Sequence, residues 1–372
     1  MGFLIAYLII SVSCIVISGR TLIAYTDCAA WVKWLIYVFF IFAWFSPMFV
    51  WNIQAKSSMP IWLYIWFAKA CYFLFGFAFL LVMVLLLRDF IWVVAYYLSG
   101  KNIISPYEAT ALKYANAYTV AAVLLLSIYA VYAADKMPRI LHYQYTDARI
   151  KKPVKILMAS DLHITKMTPV EKVAEWVQLF NAQQPDVMLL PGDIGDDKTE
   201  DVKPQLQELK KLYAPLGVFY TLGNHETYFD GKSWEAAFAS LGFVVLHNSG
   251  VSVDDTGLYV AGLPDMHAFP ISVKQALRQA KDDEYRIMMS HLPAVFKYMQ
   301  DGSVDILVSG HTHGGQIFPF NWLTKWGNAG FVFGQYDIGK LIVLVSRGVG
   351  YWGPPMRLGA PNDIMLIELK PE

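Results

Sequence analysis

The stretch Gly310-His311-Thr312-His313-Gly314-Gly315-Gln316 directly follows Asp305–Ser309, an apolar run typical of a buried strand. Its glycines permit a sharp turn and a close approach of the backbone to whatever the two histidines bind. Histidine is the commonest metal ligand among side chains, so the loop predicts a site for one metal ion or two adjacent ions. Two surface histidines in a glycine loop would look the same. The metal interpretation therefore depends on finding further ligands in the chain.

The composition divides the chain into two halves. With 56% hydrophobic and 15% aromatic residues, the 372-residue chain is too apolar for an ordinary soluble enzyme. Charges are sparse before Asp135 and return to a normal density after it. We predict a transmembrane domain over residues 1–134, a polar connector over residues 135–152 and a soluble domain over residues 153–372.

Charge and cysteine usage exclude two classes of protein. The net charge is zero and basic blocks are absent, which gives no support for binding of nucleic acid. Cys14, Cys28 and Cys71 all lie in the first half, so the soluble domain has no disulfide framework.

The first half is predicted to be an all-α transmembrane bundle of about four helices, since crossing the hydrocarbon layer takes about 20 apolar residues. The four segments are Gly2–Ser18, Trp34–Trp51, Ala70–Leu87 within the longer run Ile61–Leu87, and Tyr114–Ala134. The first segment could instead be a signal peptide, but it lacks a basic start and a small-x-small cleavage site, so we favour a retained anchor. Segment Ile91–Leu98 is too short to span alone and either continues the third helix or lies along the interface.

The orientation of the bundle follows from basic residues near the ends of the segments. One side of a four-helix arrangement carries Arg20, Lys33, Arg88, Lys101 and Lys113, and the other carries Lys56, Lys69, Lys136 and Arg139. The positive-inside rule then predicts that the soluble domain is extracytoplasmic. Counting Arg149, Lys151 and Lys152 as well would reverse that prediction.

Apolar runs alternate with helical patterns in the second half. Strand-like runs are Val154–Ala159, Val187–Leu190, Val218–Leu222, Val251–Ala261, Arg286–Ser290, Ile306–Ser309, Leu341–Ser346 and Ile364–Leu369, and helical patterns include Val170–Phe180 and Pro204–Leu212. This alternation predicts an α/β fold in which helices cover a central sheet.

Five of these strands end in polar residues that a core would not tolerate without partners. The strand ends carry Asp161 and His163, Asp193, Asn224 and His225, His291, and finally His311 and His313. Ligands collect at the carboxyl ends of strands in open α/β sheets. Each residue alone has an ordinary explanation as a cap, a turn or a core histidine. Together they form a set of oxygen and nitrogen donors that suits Mn²⁺, Fe or Zn²⁺ and exceeds the need of one tetrahedral ion.

The order of these blocks closely resembles the calcineurin-like metallophosphoesterase superfamily, over about residues 154–372. The matching residues are Asp161 and His163, Gly192 and Asp193, Gly223, Asn224, His225 and Glu226, His291, and Gly310, His311 and His313. The Gly-His-Thr-His-Gly-Gly-Gln loop, with the block Ser346–Gly350, resembles a bacterial branch whose catalytic domain often follows membrane helices. The resemblance implies a β-sandwich flanked by helices. The final block, Pro361-Asn362-Asp363-Ile364, departs from the Pro-Pro-Glu-Ile that relatives often carry.

The resemblance also implies a role for each residue of the site. Asp161, His163 and His313 would bind a first metal ion, Asn224, His291 and His311 a second, and Asp193 both. His225 would protonate the leaving group. The roles of Asp196 and Asp197 stay open, since many relatives carry a single acid there. Arg347 either contacts the phosphate through its guanidinium fork or is a structural arginine of a turn.

We therefore predict an integral membrane phosphoesterase, in a bacterial cell membrane, that uses two divalent metal ions and a hydroxide held between them. Candidate substrates are phosphate esters or pyrophosphates, including lipid-linked ones; the oligomeric state stays open. Apolar residues that would suit a lipid-facing groove, or equally ordinary packing, are Ile317, Phe318, Phe320, Trp322, Trp326, Phe331 and Phe333. The alternative is a non-catalytic metal-binding or sensing module, although a degenerate relative would be expected to have lost ligands or His225.

Overall fold

The computed structural model describes residues 2–23, 29–56 and 59–372. The chain packs as two units, Met1–Asp135 with Gly353–Met356, and Lys136–Trp352 with Arg357–Glu372. Each unit is described separately.

The first unit is helical. Its helices are α1 (Gly2–Ile23), α2 (Ala30–Lys56), α3 (Ile61–Leu98) and α4 (Ala109–Asp135). Among the described residues, three stretches are long and apolar enough to cross a membrane, namely Ala30–Val50, Ile61–Leu98 and Ala109–Asp135. Three of the four predicted segments are thus confirmed as helices of membrane-spanning length, and the first contributes the shorter apolar stretch Tyr7–Ile23. Segment Ile91–Leu98 continues α3 without a break.

A few polar side chains link the apolar helices of this unit. The Ser46 hydroxyl of α2 donates to the carbonyl of Cys71 in α3 at 2.9 Å. Arg88 of α3 donates to the side chains of Asn116 and Thr119 in α4, at 2.8 and 3.1 Å. Such bonds support association between helices that have little hydrophobic reason to pair inside lipid.

The second unit contains two mixed six-stranded sheets. The strands are β1 (Arg139–Thr146), β2 (Val154–Met158), β3 (Val187–Pro191), β4 (Val218–Thr221), β5 (Val244–Val245), β6 (Ser249–Val253), β7 (Leu258–Leu263), β8 (Tyr285–Ser290), β9 (Ile306–Ser309), β10 (Gly334–Ile338), β11 (Leu341–Val345) and β12 (Asp363–Lys370). The strand order is β1-β12-β2-β3-β4-β5 in one sheet and β10-β11-β9-β8-β7-β6 in the other. The α/β prediction is confirmed, but the single central sheet inferred from the alternation is wrong, because the strands divide between two sheets.

Strand β3 explains why the apolar runs are continuous. Alternate residues of a strand point to opposite faces of its sheet. Val187 and Leu189 belong to a buried cluster that also takes residues from strands of the second sheet. Met188 and Leu190 belong to a different cluster, which includes residues of the covering helices. Both faces are therefore buried, and the strand carries no alternation of polar and apolar residues.

Short helices cover the sheets. They are α5 (Val170–Ala182), α6 (Lys203–Leu209), α7 (Asn224–Tyr228), α8 (Gly231–Ser240), α9 (Val273–Ala276) and α10 (Asn321–Gly327). The helical spacing seen in Val170–Phe180 is confirmed in α5, which buries Val173, Trp176, Val177 and Phe180 along one face.

Two regions differ from the sequence-based expectation. The predicted strand Val251–Ala261 is an antiparallel hairpin of β6 and β7. The predicted polar connector contains β1, which pairs in parallel with β12 so that Arg139 lies opposite Asp363. Strand β1 was missed because it is an edge strand whose side chains alternate between exposed and half-buried positions.

Candidate metal centre

All the predicted site residues except Arg347 follow the carboxyl ends of five strands. Strands β2, β3 and β4 are parallel neighbours in the first sheet, and β8 and β9 are parallel neighbours in the second. The structure brings seven side chains of these loops into three overlapping triads. In each triad the ligand atoms lie within 4.8 Å of one another: Asp161, His163 and His313; His163, Asp193 and His225; Asp193, His291 and His311.

The Asp193 carboxylate lies where these triads meet. Its Oδ2 is 2.9 Å from Nε2 of His291, 3.7 Å from Nε2 of His163 and 3.9 Å from Nε2 of His225. Its Oδ1 accepts a hydrogen bond from the backbone N–H of His225 at 2.9 Å. One carboxylate oxygen thus faces imidazoles of the first and third triads, as a ligand shared between two cations requires.

The first triad can accommodate a divalent cation. Nε2 of His163 and Nε2 of His313 lie 3.0 Å apart. Two ligands at right angles on one ion, with bonds of about 2.1 Å, have this same separation. Nδ1 of His313 lies 3.2 Å from the Arg357 guanidinium, so that ring turns its Nε2 toward His163. Nδ1 of His163 lies 3.2 Å from Asp196 Oδ2, so this ring likewise directs its Nε2 into the site.

His291 of the third triad and the nearby predicted ligand Asn224 each place a buried polar atom in the site. Nδ1 of His291 donates to the Pro191 carbonyl at 3.0 Å, which directs Nε2 into the site. That Nε2 is buried and makes no hydrogen bond of suitable angle, although Asp193 Oδ2 lies 2.9 Å away. Oδ1 of Asn224, the remaining predicted ligand, is also buried without a hydrogen-bond partner. Buried polar atoms rarely lack partners, and a cation would supply one to Asn224 Oδ1. His291 Nε2 instead faces the Asp193 carboxylate, which raises the pKa of His291 to about 10.

Two of the histidines are held in the neutral form that binds metals. Burial, reinforced by the neighbouring His291, lowers the pKa of His311 to about 3. Burial, with His163 and Arg357 close by, places the pKa of His313 well below its ordinary value. Neutral imidazoles coordinate cations without first losing a proton to water.

His225 is held in the opposite state. Its Nδ1 lies 2.6 Å from Asp196 Oδ1 and its Nε2 faces Asp193 at 3.9 Å. Burial opposes its protonation, but the two carboxylates outweigh burial and raise its pKa to about 9. Asp196 therefore contacts both His225 and His163. This contact is the role of Asp196 that the sequence left undecided. The Asp197 carboxylate instead accepts the backbone N–H groups of Lys166 and Lys198 and orders the adjacent loop.

A second buried acid, Glu226, supports Asp193 from behind. Its carboxylate accepts four backbone N–H groups, those of Asp193 at 3.0 Å, Ile194 at 2.6 Å, Gly195 at 3.0 Å and Gly223 at 2.9 Å. Burial and the charge of Asp193 raise its pKa to about 7. Glu226 ties the loop after β3 to the loop after β4 and so orients the carboxylate between the triads.

Backbone strain is concentrated at the predicted ligands. Five of the seven have φ in the left-handed region, which non-glycine residues rarely adopt: Asp161 at 55°, His163 at 47°, Asp193 at 52°, His311 at 70° and His313 at 49°. Each such residue costs about 1–3 kcal/mol and persists only where its surroundings hold it. Glycine is required beside them, because a Cβ at Gly223 or Gly310 would lie 2.1 Å from a carboxylate oxygen of Asp193 or Asp161.

The structure favours the structural alternative for Arg347. The side chain is buried, its Nε donates to Asp363 Oδ2 at 2.6 Å, and its guanidinium stacks over Phe333 at 4.6 Å. Asp363, the unusual residue of the final block, is therefore the partner of Arg347. Contact between Arg347 and a phosphate stays a prediction.

The aromatic residues after the metal loop divide into two groups. Trp322 is 67% exposed and Trp326 is 86% exposed. Phe318, Phe320 and Phe333 are also exposed, whereas Ile317 and Phe331 are buried. The last two were included in the predicted groove wrongly, because their side chains belong to the interior.

Sequence reasoning assigned no role to three supporting residues. Asp196 stands three residues after Asp193, and Glu226 belongs to the Gly-Asn-His-Glu block, so both had a positional signal. Arg357 had none; its buried guanidinium donates to the carbonyls of Gly350, Arg347 and Ala360 as well as to His313.

Comparison with known proteins agrees with this geometry. The family profile described as calcineurin-like phosphoesterase matches residues 154–315. A protein of Campylobacter jejuni called an uncharacterized metallophosphoesterase is 33% identical over 66% of this chain and 68% of its own length. One of the same description from Helicobacter pylori is 32% identical over 60% of this chain and 62% of its own length. A Bos taurus protein called transmembrane protein with metallophosphoesterase domain is 32% identical over 58% of this chain and 53% of its own length. The chain thus spans less than two thirds of the last two relatives.

Glu226→Gln should lower both stability and metal affinity. Each carboxylate oxygen accepts two backbone N–H groups, so an amide nitrogen in either position would face donors. An unsatisfied buried donor or acceptor costs about 1–3 kcal/mol. We expect the thermal midpoint to fall by several degrees and Mn²⁺ to bind at least tenfold more weakly in calorimetric titration. The exposed control Glu200→Gln should change neither. An unchanged midpoint and affinity in Glu226→Gln would contradict the positioning role.

Proposed function

Because the chain belongs to the calcineurin-like metallophosphoesterase family, we propose that it is a membrane-anchored hydrolase of phosphate ester or pyrophosphate bonds. Residues 1–134 would form the anchor, and residues 153–372 the catalytic domain, with the two sheets stacked as the family's β-sandwich. The observation that carries this proposal is the position of the Asp193 carboxylate between metal-competent triads, with a protonated His225 beside it.

Two divalent ions, Mn²⁺, Fe or Zn²⁺, would fit the site. Asp161, His163 and His313 would hold one, Asn224, His291 and His311 the other, and Asp193 both. When bound, such a pair would supply hydroxide at neutral pH and neutralise charge on the phosphoryl oxygens. Asn224 contributes a neutral oxygen, so the site keeps a positive charge that attracts an anionic substrate.

His225 would donate a proton to the leaving oxygen. Asp196 accepts the Nδ1–H, which fixes the ring and directs Nε2 toward the centre, where it lies 3.9 Å from Asp193 Oδ2. The raised pKa of about 9 keeps the ring protonated at neutral pH. Protonation of a leaving group by a positioned side chain typically contributes about 10²–10⁴-fold to the rate.

A substrate in or on the bilayer would suit this chain. The first unit contains three helices of membrane-spanning length among the described residues. Beyond the metal loop, Trp322 and Trp326 are exposed, and Phe318 packs edge-on against Trp322 with ring centroids 5.7 Å apart. Amphipathic aromatic side chains favour the membrane interface. These observations support a lipid-linked substrate and the membrane-anchored bacterial branch as parts of the proposal.

The first test is hydrolysis by the detergent-purified, Mn²⁺-loaded protein of chromogenic phosphomonoesters and phosphodiesters. His225→Ala should lower kcat about 10²–10⁴-fold while both ions still bind, because only the proton donor is lost. Asp193→Asn should abolish turnover and lower metal content, whereas exposed Asp201→Asn should change neither. Turnover that survives both site substitutions would contradict the mechanism. Two bound ions without turnover of either ester in wild type would leave two options, a narrow lipid specificity or the metal-binding module.

The second test separates soluble from bilayer substrates. With the protein reconstituted in vesicles, Trp322→Ala and Trp326→Ala should each slow hydrolysis of phosphatidic acid or a lipid pyrophosphate several-fold. Hydrolysis of a soluble chromogenic ester should not change, because the metal centre is untouched. Equal losses on both kinds of substrate would count against a lipid-facing surface.

The third test concerns the side of the membrane. The extracytoplasmic placement predicts that a cysteine introduced at exposed Tyr213 reacts with a membrane-impermeant maleimide added to intact cells. The described native cysteines, Cys14 and Cys71, are buried, and the variant without Tyr213→Cys provides the background. Labelling only after the cells are lysed would place the domain in the cytoplasm.

A further inference from the structure

Two aromatic side chains flank the ring of His225. The centroid of the Tyr228 ring lies 5.2 Å from that of His225, and the centroid of the Trp352 ring lies 6.1 Å from it on an edge-on approach. Tyr228 is 68% exposed and Trp352 is 52% exposed. Apolar ring surface is therefore open to solvent immediately beside the proposed proton donor.

Residues at or beside the metal centre hydrogen-bond both aromatic residues, through the Tyr228 hydroxyl and the Trp352 backbone. The side-chain amide of Asn224 donates to the Tyr228 hydroxyl at 3.2 Å. The side-chain amide of Gln316, three residues after His313, donates to the Trp352 carbonyl at 2.8 Å and accepts the Trp352 N–H at 2.9 Å. This reciprocal pair holds the Trp352 backbone against the metal loop. Side chains ordered before a ligand arrives lose less entropy on binding it, so the rings are suited to recognition.

The chemistry of the exposed Tyr228 and Trp352 rings indicates which kind of substrate group would bind beside His225. Exposed hydrophobic residues are common on proteins and usually need no explanation. Here two of them contact the same histidine, and each is tied to the metal centre by a different hydrogen bond. The Tyr228 hydroxyl already accepts from Asn224, and the indole offers a single N–H, so the surface is mostly apolar. It matches an apolar body better than a hydroxyl-rich sugar or glycerol.

We propose that Tyr228 and Trp352 form a leaving-group subsite, which binds an apolar aryl or alkyl group attached to the ester oxygen that His225 protonates. The inference rests on the proposed function and narrows its substrate class. A tenfold preference corresponds to about 1.4 kcal/mol. At about 25 cal/mol per Å², burial of roughly 60 Å² of apolar surface produces that preference, which is within reach of two aromatic rings.

The test measures binding without turnover. The full chain, loaded with Mn²⁺ in a nonionic detergent, is titrated calorimetrically with methylphosphonate, phenylphosphonate and hexylphosphonate. Wild type should bind at least one of the two larger phosphonates about tenfold more tightly than methylphosphonate, and the better one identifies an aryl or an alkyl leaving group. Trp352→Ala and Tyr228→Ala should each reduce the preference to about twofold or less. Trp352→Phe should retain part of it, and the distant exposed control Tyr213→Ala all of it.

Four outcomes would overturn the subsite. Equal affinity for all three phosphonates in wild type would show that no apolar subsite exists. A preference that survives both alanine substitutions would place it elsewhere. If the two alanine variants lost affinity for methylphosphonate to the same extent as for the larger ligands, the rings would only support the metal centre. If wild type with two bound ions bound none of the phosphonates, both the proposed function and the subsite would be contradicted.

Discussion

The Asp193 carboxylate is almost fully buried among imidazoles, and the rest of the site is arranged around the need to hold it there. A buried carboxylate is costly unless nearby groups compensate its charge. Glu226, a second buried acid, stands behind it and is compensated by four backbone N–H groups. In front, two histidines are held neutral by burial while His225 is held protonated. This arrangement leaves negative charge and bare donor atoms facing one small volume, which is the condition that divalent cations satisfy.

The cost of the arrangement is concentrated in the backbone of the ligand loops. Five ligand positions adopt left-handed conformations although none is glycine. The two sheets supply the rigidity that keeps them there, since strands such as β3 are buried on both faces. Glycines then occupy the points where neighbouring loops come closest, as at Gly223 against Asp193. Rigid strands and strained loops together hold the ligand side chains in fixed positions. Preorganisation of a charged site requires such fixed donor atoms.

Much of the site could be predicted from the sequence because each ligand follows a mostly apolar run. The division into two sheets does not follow from the apolar runs, because a strand buried on both faces looks the same whether a helix or a second sheet covers it. Only the family resemblance implied a second sheet. Strand β1 was not predicted because it is an edge strand whose side chains are exposed or half-buried. Asp196 and Trp352 contact His225, which lies far from each of them along the chain. The two alternatives for Arg347 could not be separated from the sequence, because only the fold brings its partner Asp363 beside it.

The central claim is that one carboxylate, that of Asp193, is shared by two cations. Anomalous diffraction from crystals of the Mn²⁺-loaded protein measures this directly. The account predicts two anomalous peaks about 3.5–4 Å apart, with Asp193 between them, Asp161, His163 and His313 around one, and Asn224, His291 and His311 around the other. A single peak, or two peaks without Asp193 between them, would contradict it.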